Sequence, residues 1–322
     1  MSCDRPLVFA GSASKRLGES VCQDLGIEPA AAEVLRFPEG NVLVRLLENV
    51  RGRSAYVIQS TAFGSSDQVM ELLFWMDALK RASAASVTAV IPYFSYGKGD
   101  KMDEPRVSIR ARVVADALQA AGADRVLTMD LHARQIQGFF AIPVDDLQAM
   151  PTLAEAISAE GLADPVVVSP DLGFVKKGRA FAARLNSQLV VADKRRSGRL
   201  GETVDVVQLI GDVAGRDAVL VDDFTLTMST LAEVAEAVKS AGARRVMAAV
   251  THGVFAEGSM GSLERSPIDK LLVTDTVENQ PVSLSPKVEV VPVGHLFAEA
   301  IRREEENLSL SELSLAPLGA AR

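Results

Sequence analysis

Short apolar runs rich in Val, Ile, Leu and Ala recur along the chain and alternate with segments whose apolar positions fall three and four residues apart. Continuous apolar runs suit strands covered on both faces, whereas the second spacing gathers apolar side chains on one face of a helix. Strands are predicted at 7–10, 55–59, 87–92, 126–130, 166–169, 189–192, 218–222, 246–250 and 270–274. Between them, 67–82 carries Val69, Leu72, Leu73, Met76 and Leu79 at helical spacing, and 109–121 and 231–241 repeat the pattern. Alternating strands and helices build βα units and a mainly parallel sheet, so the fold class is α/β.

A weak internal repetition runs as helix, small-residue turn, strand and polar tip. It reads DALKRASAASVTAVIPYFSYG, ADALQAAGADRVLTMDLHARQ and AEAVKSAGARRVMAAVTHGVF. The copies are unevenly spaced, which favours two related α/β halves over a solenoid. DDLQAMPT, at 145–152, breaks the alternation with Pro151 and polar residues, and the domain boundary is placed there. The tail NLSLSELSLAPLGAAR has leucines spaced for a short helix, and RREEEN at 302–307 reads as a solvated helix face. Trp75 and the stripe around it read as helix packing.

The 322 residues are 48% hydrophobic and 24% charged, and their number points to two domains. Forty-two acidic against 34 basic residues give a net charge of −8, which disfavours a general nucleic-acid binder. Two cysteines, Cys3 and Cys22, with no CxxC pair and only three histidines exclude a disulfide framework and a zinc finger. The amino terminus lacks a basic stretch followed by an apolar one, and no stretch approaches the roughly 20 apolar residues of a membrane span. A soluble cytoplasmic protein is the expectation.

The sharpest local feature is AVLVDDFTLTMST, an apolar strand ending in Asp222 and Asp223 and followed by Thr225, Thr227, Ser229 and Thr230 at a helix start. Backbone N–H groups and hydroxyls there can surround a phosphate, and adjacent carboxylates suit sugar hydroxyls or Mg²⁺. A hydroxyl-rich cap beside two solvated acids is the plainer alternative. TMDLHARQ puts Asp130 and His132 just past another strand, where parallel sheets form their ligand crevice. VVSPDLG puts Asp171 at a third strand end, and DKRRSGRLGE gathers Lys194, Arg195, Arg196 and Arg199 in a glycine-containing connection. In an acidic protein that basic run could be a mobile clamp for polyphosphate.

With these features in order, the chain resembles the ribose-phosphate pyrophosphokinases, or phosphoribosyl pyrophosphate synthetases. The likeness runs from FAGSAS through QSTAFGSSDQVMELLFWMDALKRA, AVIPYFSYGKGDK, ADRVLTMDLHARQIQGFF, VVSPD, ADKRR, IGDVAGRDAVLVDD and VTHGVFAEG to LFAEAIRR. The resemblance implies two related domains of the type I phosphoribosyltransferase-like fold, each a mainly parallel sheet flanked by helices. Residues 1–148 would form the nucleotide side and 149–322 the ribose-phosphate side, with the last helix packing on the N-terminal domain. It also implies transfer of the pyrophosphoryl group of MgATP to O1 of ribose 5-phosphate, a step of nucleotide biosynthesis that releases AMP. Inorganic phosphate would be an activator, and a homo-oligomer, a hexamer or its dimer building block, is implied, with no nucleic-acid or membrane partner.

By the same resemblance, His132 and Asp171 would lie at the metal and ATP phosphates, with Lys194 and Arg196 as catalytic cations over the transferred group. Asp222 and Asp223 would hold the ribose hydroxyls, and Thr227, Met228, Ser229 and Thr230 the 5-phosphate. Phe37, Glu39 and Asn41 would reach the adenine in a neighbouring subunit, while Lys98, Asp100 and Lys101 approach the nucleotide below its phosphates. Several positions depart from the family pattern. Leu226 replaces an acid and Ser229 a glycine, whose loss should restrict a positive-φ turn. Glu39 and Asn41 have exchanged acid and amide, and Lys98 and Gly99 stand for arginine and glutamine, so a bidentate fork is lost. Leu172 and Phe174 replace small residues after Asp171 and should narrow the neighbouring pocket. These departures leave two alternatives: a different sugar-phosphate or nucleotide preference, or a weakly active regulatory paralogue.

Overall fold

The computed structural model describes residues 5–197, 204–278 and 282–314. In chain order the first elements are β1 (Leu7–Ala10), α1 (Lys15–Leu25), β2 (Ala32–Arg36), β3 (Val42–Leu46), β4 (Ser54–Ile58) and α2 (Ser65–Arg81). Then come β5 (Ser86–Ile91), α3 (Arg110–Ala121), β6 (Arg125–Met129), β7 (Val144–Leu147), α4 (Met150–Ala159), β8 (Pro165–Ser169) and α5 (Val175–Arg184). β9 (Gln188–Ser197), β10 (Val204–Ile210), β11 (Asp217–Thr225), α6 (Ser229–Ser240), β12 (Arg245–Gly253), α7 (Ser259–Arg265), β13 (Lys270–Thr274), β14 (Val288–Val291) and α8 (Gly294–Glu305) complete the order.

Two compact units result. The first takes residues up to Gln148 together with Thr276–Glu278 and Val293–Leu315; the second takes Ala149–Asp275 and Asn279–Pro292. The first unit holds a five-stranded sheet in the order β1-β4-β5-β6-β7, parallel throughout. β1, β4, β5 and β6 are largely buried runs, whereas β7 at the edge carries Asp145 and Asp146 and is half-buried, and Phe9, Val57, Leu72, Trp75, Met76 and Leu118 form the centre of the core. A separate antiparallel pair, β2 and β3, packs on α2 through Val34, Val44 and Leu46. The second unit holds seven strands in the order β10-β9-β8-β11-β12-β13-β14, parallel except for the β9–β10 pair. Val168, Leu220, Leu231, Val250, Phe255 and Leu271 pack its core.

The structure differs from the sequence reading at several places. The segment 145–152 does not break the alternation, since it holds the end of β7 and the start of α4, and the two units divide inside it between Gln148 and Ala149. Pro151 occupies the first turn of α4, where a missing N–H costs nothing. β9 runs on through Ser197 to pair with β10, so Lys194 and Arg196 lie on a strand rather than in a loop. The short helix expected in the tail is a 3₁₀ turn at Ser311–Ser314, and positions beyond 314 lie outside the described residues, as does Cys3. The charge run 302–307 is not uniformly solvated, because the Glu304 side chain is only 7% exposed.

Candidate active site

In the second unit, the acids at 222 and 223 come before the end of β11, which continues to Thr225. Asp223 is buried and Asp222 half-buried. The Asp223 N–H donates to Asp222 Oδ1 (2.8 Å), and Lys177 Nζ of α5 stands 3.8 Å from Asp223 Oδ2. Burial raises the Asp222 carboxyl well above its ordinary value, and the Asp223 and Asp171 carboxylates push it the same way. Asp171 lies just past β8, where its Oδ1 accepts the Phe174 N–H (2.9 Å). The fold thus makes one electrostatic group of the three acids on two strand ends.

After β11 the chain turns through exposed Leu226 and Thr227 into α6. Thr227 Oγ1 and Ser229 Oγ are hydrogen-bonded to each other (2.9 Å), and both residues are exposed. The Ser229 N–H donates to Thr227 Oγ1 (3.4 Å) and the Ala232 N–H to Met228 O (2.9 Å), so the N–H groups of 230 and 231 precede the first intrahelical bond and remain available to an anion. The strain expected at Ser229 is not there. Met228 carries the positive φ, 66°, with its side chain buried, and Ser229 begins the helix with ordinary backbone. The feared penalty of the missing glycine therefore does not arise at that position.

Of the other expected residues in this unit, Phe174 turns inward, 7% exposed, with Lys177 Nζ 5.6 Å from its ring centroid, while Leu172 stands out in solvent. Lys194 and Arg196 pair through their backbones with Val207 and Asp205. Their side chains lie outside the described residues, as does all of Arg199. His252, on β12 beside Phe224, is buried.

In the first unit, the adenine segment is the tip of the hairpin between β2 and β3. The Phe37 N–H donates to Asn41 O (2.9 Å), Gly40 supplies the positive φ of 94° that closes the tip, and Phe37 is 40% exposed. Glu39 and Asn41 are exposed beside it, with Asn41 Oδ1 taken by the Val42 N–H (2.8 Å). Glu71, fully buried on α2, holds the base of this hairpin. It accepts the Ser12 N–H (2.8 Å), the Ser12 hydroxyl (2.5 Å) and Arg36 Nη2 (3.3 Å).

Past β5, a 3₁₀ turn at Ser95–Gly99 carries Lys98 and leads into Asp100 and Lys101. Its start is pinned by Thr61 Oγ1, which accepts the Ser95 N–H (2.9 Å). Asp100 Oδ2 accepts from Gln135 Nε2 (3.0 Å), and Lys101 pairs with Asp103 (3.5 Å). His132 is exposed after β6, and Gly97 lies so near that an added Cβ would be 3.6 Å from the His132 Cβ. The turn and the histidine therefore share one surface. Asp130, in front of it, has a φ of 44°.

Oxygen donors at Asp171, Asp222 and Asp223 suit a hard cation such as Mg²⁺. Among the described residues, no group of three or more His, Cys, Asp or Glu side chains could hold a metal ion by itself. A site of this kind fits an ion that keeps waters and borrows substrate oxygens, as Mg²⁺ commonly does. No described helix is long and apolar enough to cross a membrane.

Residues 7–122 match the family model for the N-terminal domain of ribose phosphate pyrophosphokinase, and 199–314 match the phosphoribosyl synthetase-associated domain. A ribose-phosphate pyrophosphokinase of Wolinella succinogenes is 44% identical over 306 residues, covering 95% of this chain and 98% of the relative. One from Vibrio vulnificus is 45% identical over 309 residues, covering 95% and 98%. Among solved structures, the phosphoribosylpyrophosphate synthetase of Mycobacterium smegmatis superposes with a TM-score of 0.88 at 36% identity, covering 94% of this chain and all of that one.

Proposed function

Because the chain belongs to the ribose-phosphate pyrophosphokinase family, we propose that it transfers the pyrophosphoryl group of ATP to O1 of ribose 5-phosphate, releasing AMP. The observation that carries the reading is the loop after β11, where two acids precede a hydroxyl pair and open helix N–H groups. The hydroxyls of Thr227, Ser229 and Thr230 and the first N–H groups of α6 take the 5-phosphate, and Asp222 and Asp223 orient the ribose hydroxyls. Lys98, Asp100, Lys101 and His132 serve the nucleotide phosphates, and the hairpin tip at Phe37, Glu39 and Asn41 reaches the adenine in a neighbouring subunit of a homo-oligomer. Lys194 and Arg196 neutralise charge on the group in transfer. Mg²⁺ bound at Asp171 would supply further charge neutralisation at the phosphates. The cytoplasm is the compartment proposed, and inorganic phosphate a candidate activator.

Phosphorus NMR of the protein with MgATP, phosphate and ribose 5-phosphate tests the reading. AMP and a pyrophosphorylated sugar should grow together in equal amounts; ATP loss without the sugar product refutes it. Leu226, 41% exposed beside the phosphate hydroxyls, favours a second reading in which another sugar phosphate is the acceptor. A panel of sugar phosphates ranked by kcat/KM decides between them.

A further inference from the structure

The turn that carries Lys98 has an unusual neighbour. A Cβ built on Gly99 would fall 2.6 Å from Arg110 Nε, 2.8 Å from Arg110 Cβ and 3.3 Å from its Cζ. Those distances are well inside contact, and two of the three atoms belong to the guanidinium end. Arg110 can lie across the turn only because residue 99 has no side chain. It is the first residue of α3, exposed, and among the described residues its guanidinium has no hydrogen bond or ion pair. No acid occupies the first turn of α3, so this cation sits at the positive end of a helix with nothing there to offset it. Exposed arginines in the same unit, such as Arg81 and Arg112, pair with an aspartate one turn away. Arg110 is left with its donors open, lying on the segment that runs from Lys98 to Lys101.

We propose that Arg110 is a nucleotide-phosphate-binding residue, and that Gly99 and Lys98 form one unit with it. Lysine at 98 offers a point charge without a fork, whereas Arg110 brings a planar fork to the same turn from the start of α3. The glycine makes the room that this substitution of one cation for another requires. This assignment rests on the proposed role of the Lys98 to Lys101 segment in holding ATP.

The test is calorimetric titration of the intact protein with MgATP, in the absence of sugar phosphate, beside steady-state kinetics and a melting curve for each variant. Arg110→Ala should weaken MgATP binding and raise its KM about tenfold, with KM for ribose 5-phosphate and Tm unchanged. Arg110→Lys should recover part of the loss. Gly99→Gln should weaken binding similarly by displacing the guanidinium, yet add nothing in the Arg110→Ala background. That non-additivity is not expected of a residue that only supports the fold. Unchanged MgATP affinity in Arg110→Ala, with Lys98→Ala impaired, overturns the role of Arg110 alone. If Lys98→Ala also binds MgATP normally, the placement of the nucleotide on this turn falls, and the proposal falls with it.

Discussion

Each unit buries a carboxylate whose proton is held unusually tightly, and the two could hardly be more differently placed. In the first unit, Glu304 of α8 lines a cavity of about 370 Å³ with Ser54, Ser86 and Arg125, the first residues of β4, β5 and β6. Burial is the chief reason its carboxyl rises to about 7, with Arg125, 3.8 Å away, pulling the other way. Its Oε1 is buried without a hydrogen bond, and the adjacent Tyr56 hydroxyl donates to Glu305 (2.8 Å). In the second unit, Asp222 is raised by burial together with two further carboxylates, and it lies toward the finishing end of β11. A parallel sheet collects ligands at the finishing ends of its strands, not at their beginnings. A perturbed proton is thus a sign of burial in both places, and only the Asp222 proton lies toward the end of the sheet where ligands collect.

The largest effect that would break this contrast lies at Asp222. Asp222→Asn should lower kcat by about 10²–10³-fold while raising Tm at pH 8, a gain that fades toward pH 4. Preserved turnover would reduce Asp222 to a buried acid with no part in the chemistry, the same standing as Glu304.

Glu304→Gln is the counterpart. The folded value of about 7 exceeds the ordinary 4.5, so the stability tied to this proton is complete below pH 4.5. It is lost as pH rises through 7, because the unfolded chain releases the proton first. The variant should flatten that decline, by about 3 kcal/mol at pH 8 as an order of magnitude, with kcat unchanged. Urea melts at pH 4 and pH 8 measure it, and equal stabilisation at both would remove the proton from the account.

Smaller changes sharpen the description of the phosphate loop. Leu226→Asp should raise kcat/KM for ribose 5-phosphate by roughly fivefold if an acid there still meets the sugar. Ser229→Gly should bring no gain in that ratio and should cost about 0.5–1 kcal/mol in chemical denaturation, because the position is helical and needs no glycine. A clear rise in kcat/KM would show that close approach of the backbone matters after all.

Much of this architecture was legible in the chain. β1 and β13 fall where the apolar runs put them, and Asp171 and His132 follow strand ends as expected, whereas Asp222 and Asp223 lie inside β11, which runs on to Thr225. β2, β3, β7 and β14 escaped because they are half-exposed, so charged and apolar residues mix without a continuous run, and β10 was missed as well. The burial of Glu304 could not be read from RREEEN, since it depends on strands far away in sequence. Nor could Arg110, whose partner in space is a glycine that says nothing of what lies above it.

The return of α8 to the first unit sets a timetable for synthesis. Phe297, Ala300 and Ile301 are fully buried, and the Arg302 guanidinium donates to Asp24 O (3.2 Å) of α1. A ribosome that has made every strand of the first sheet must still make the whole second unit before this helix appears. At ordinary rates of synthesis that is a wait of roughly 7–30 s. Through that interval the earlier half is an open work in progress, exposing the apolar surface its last helix will cover.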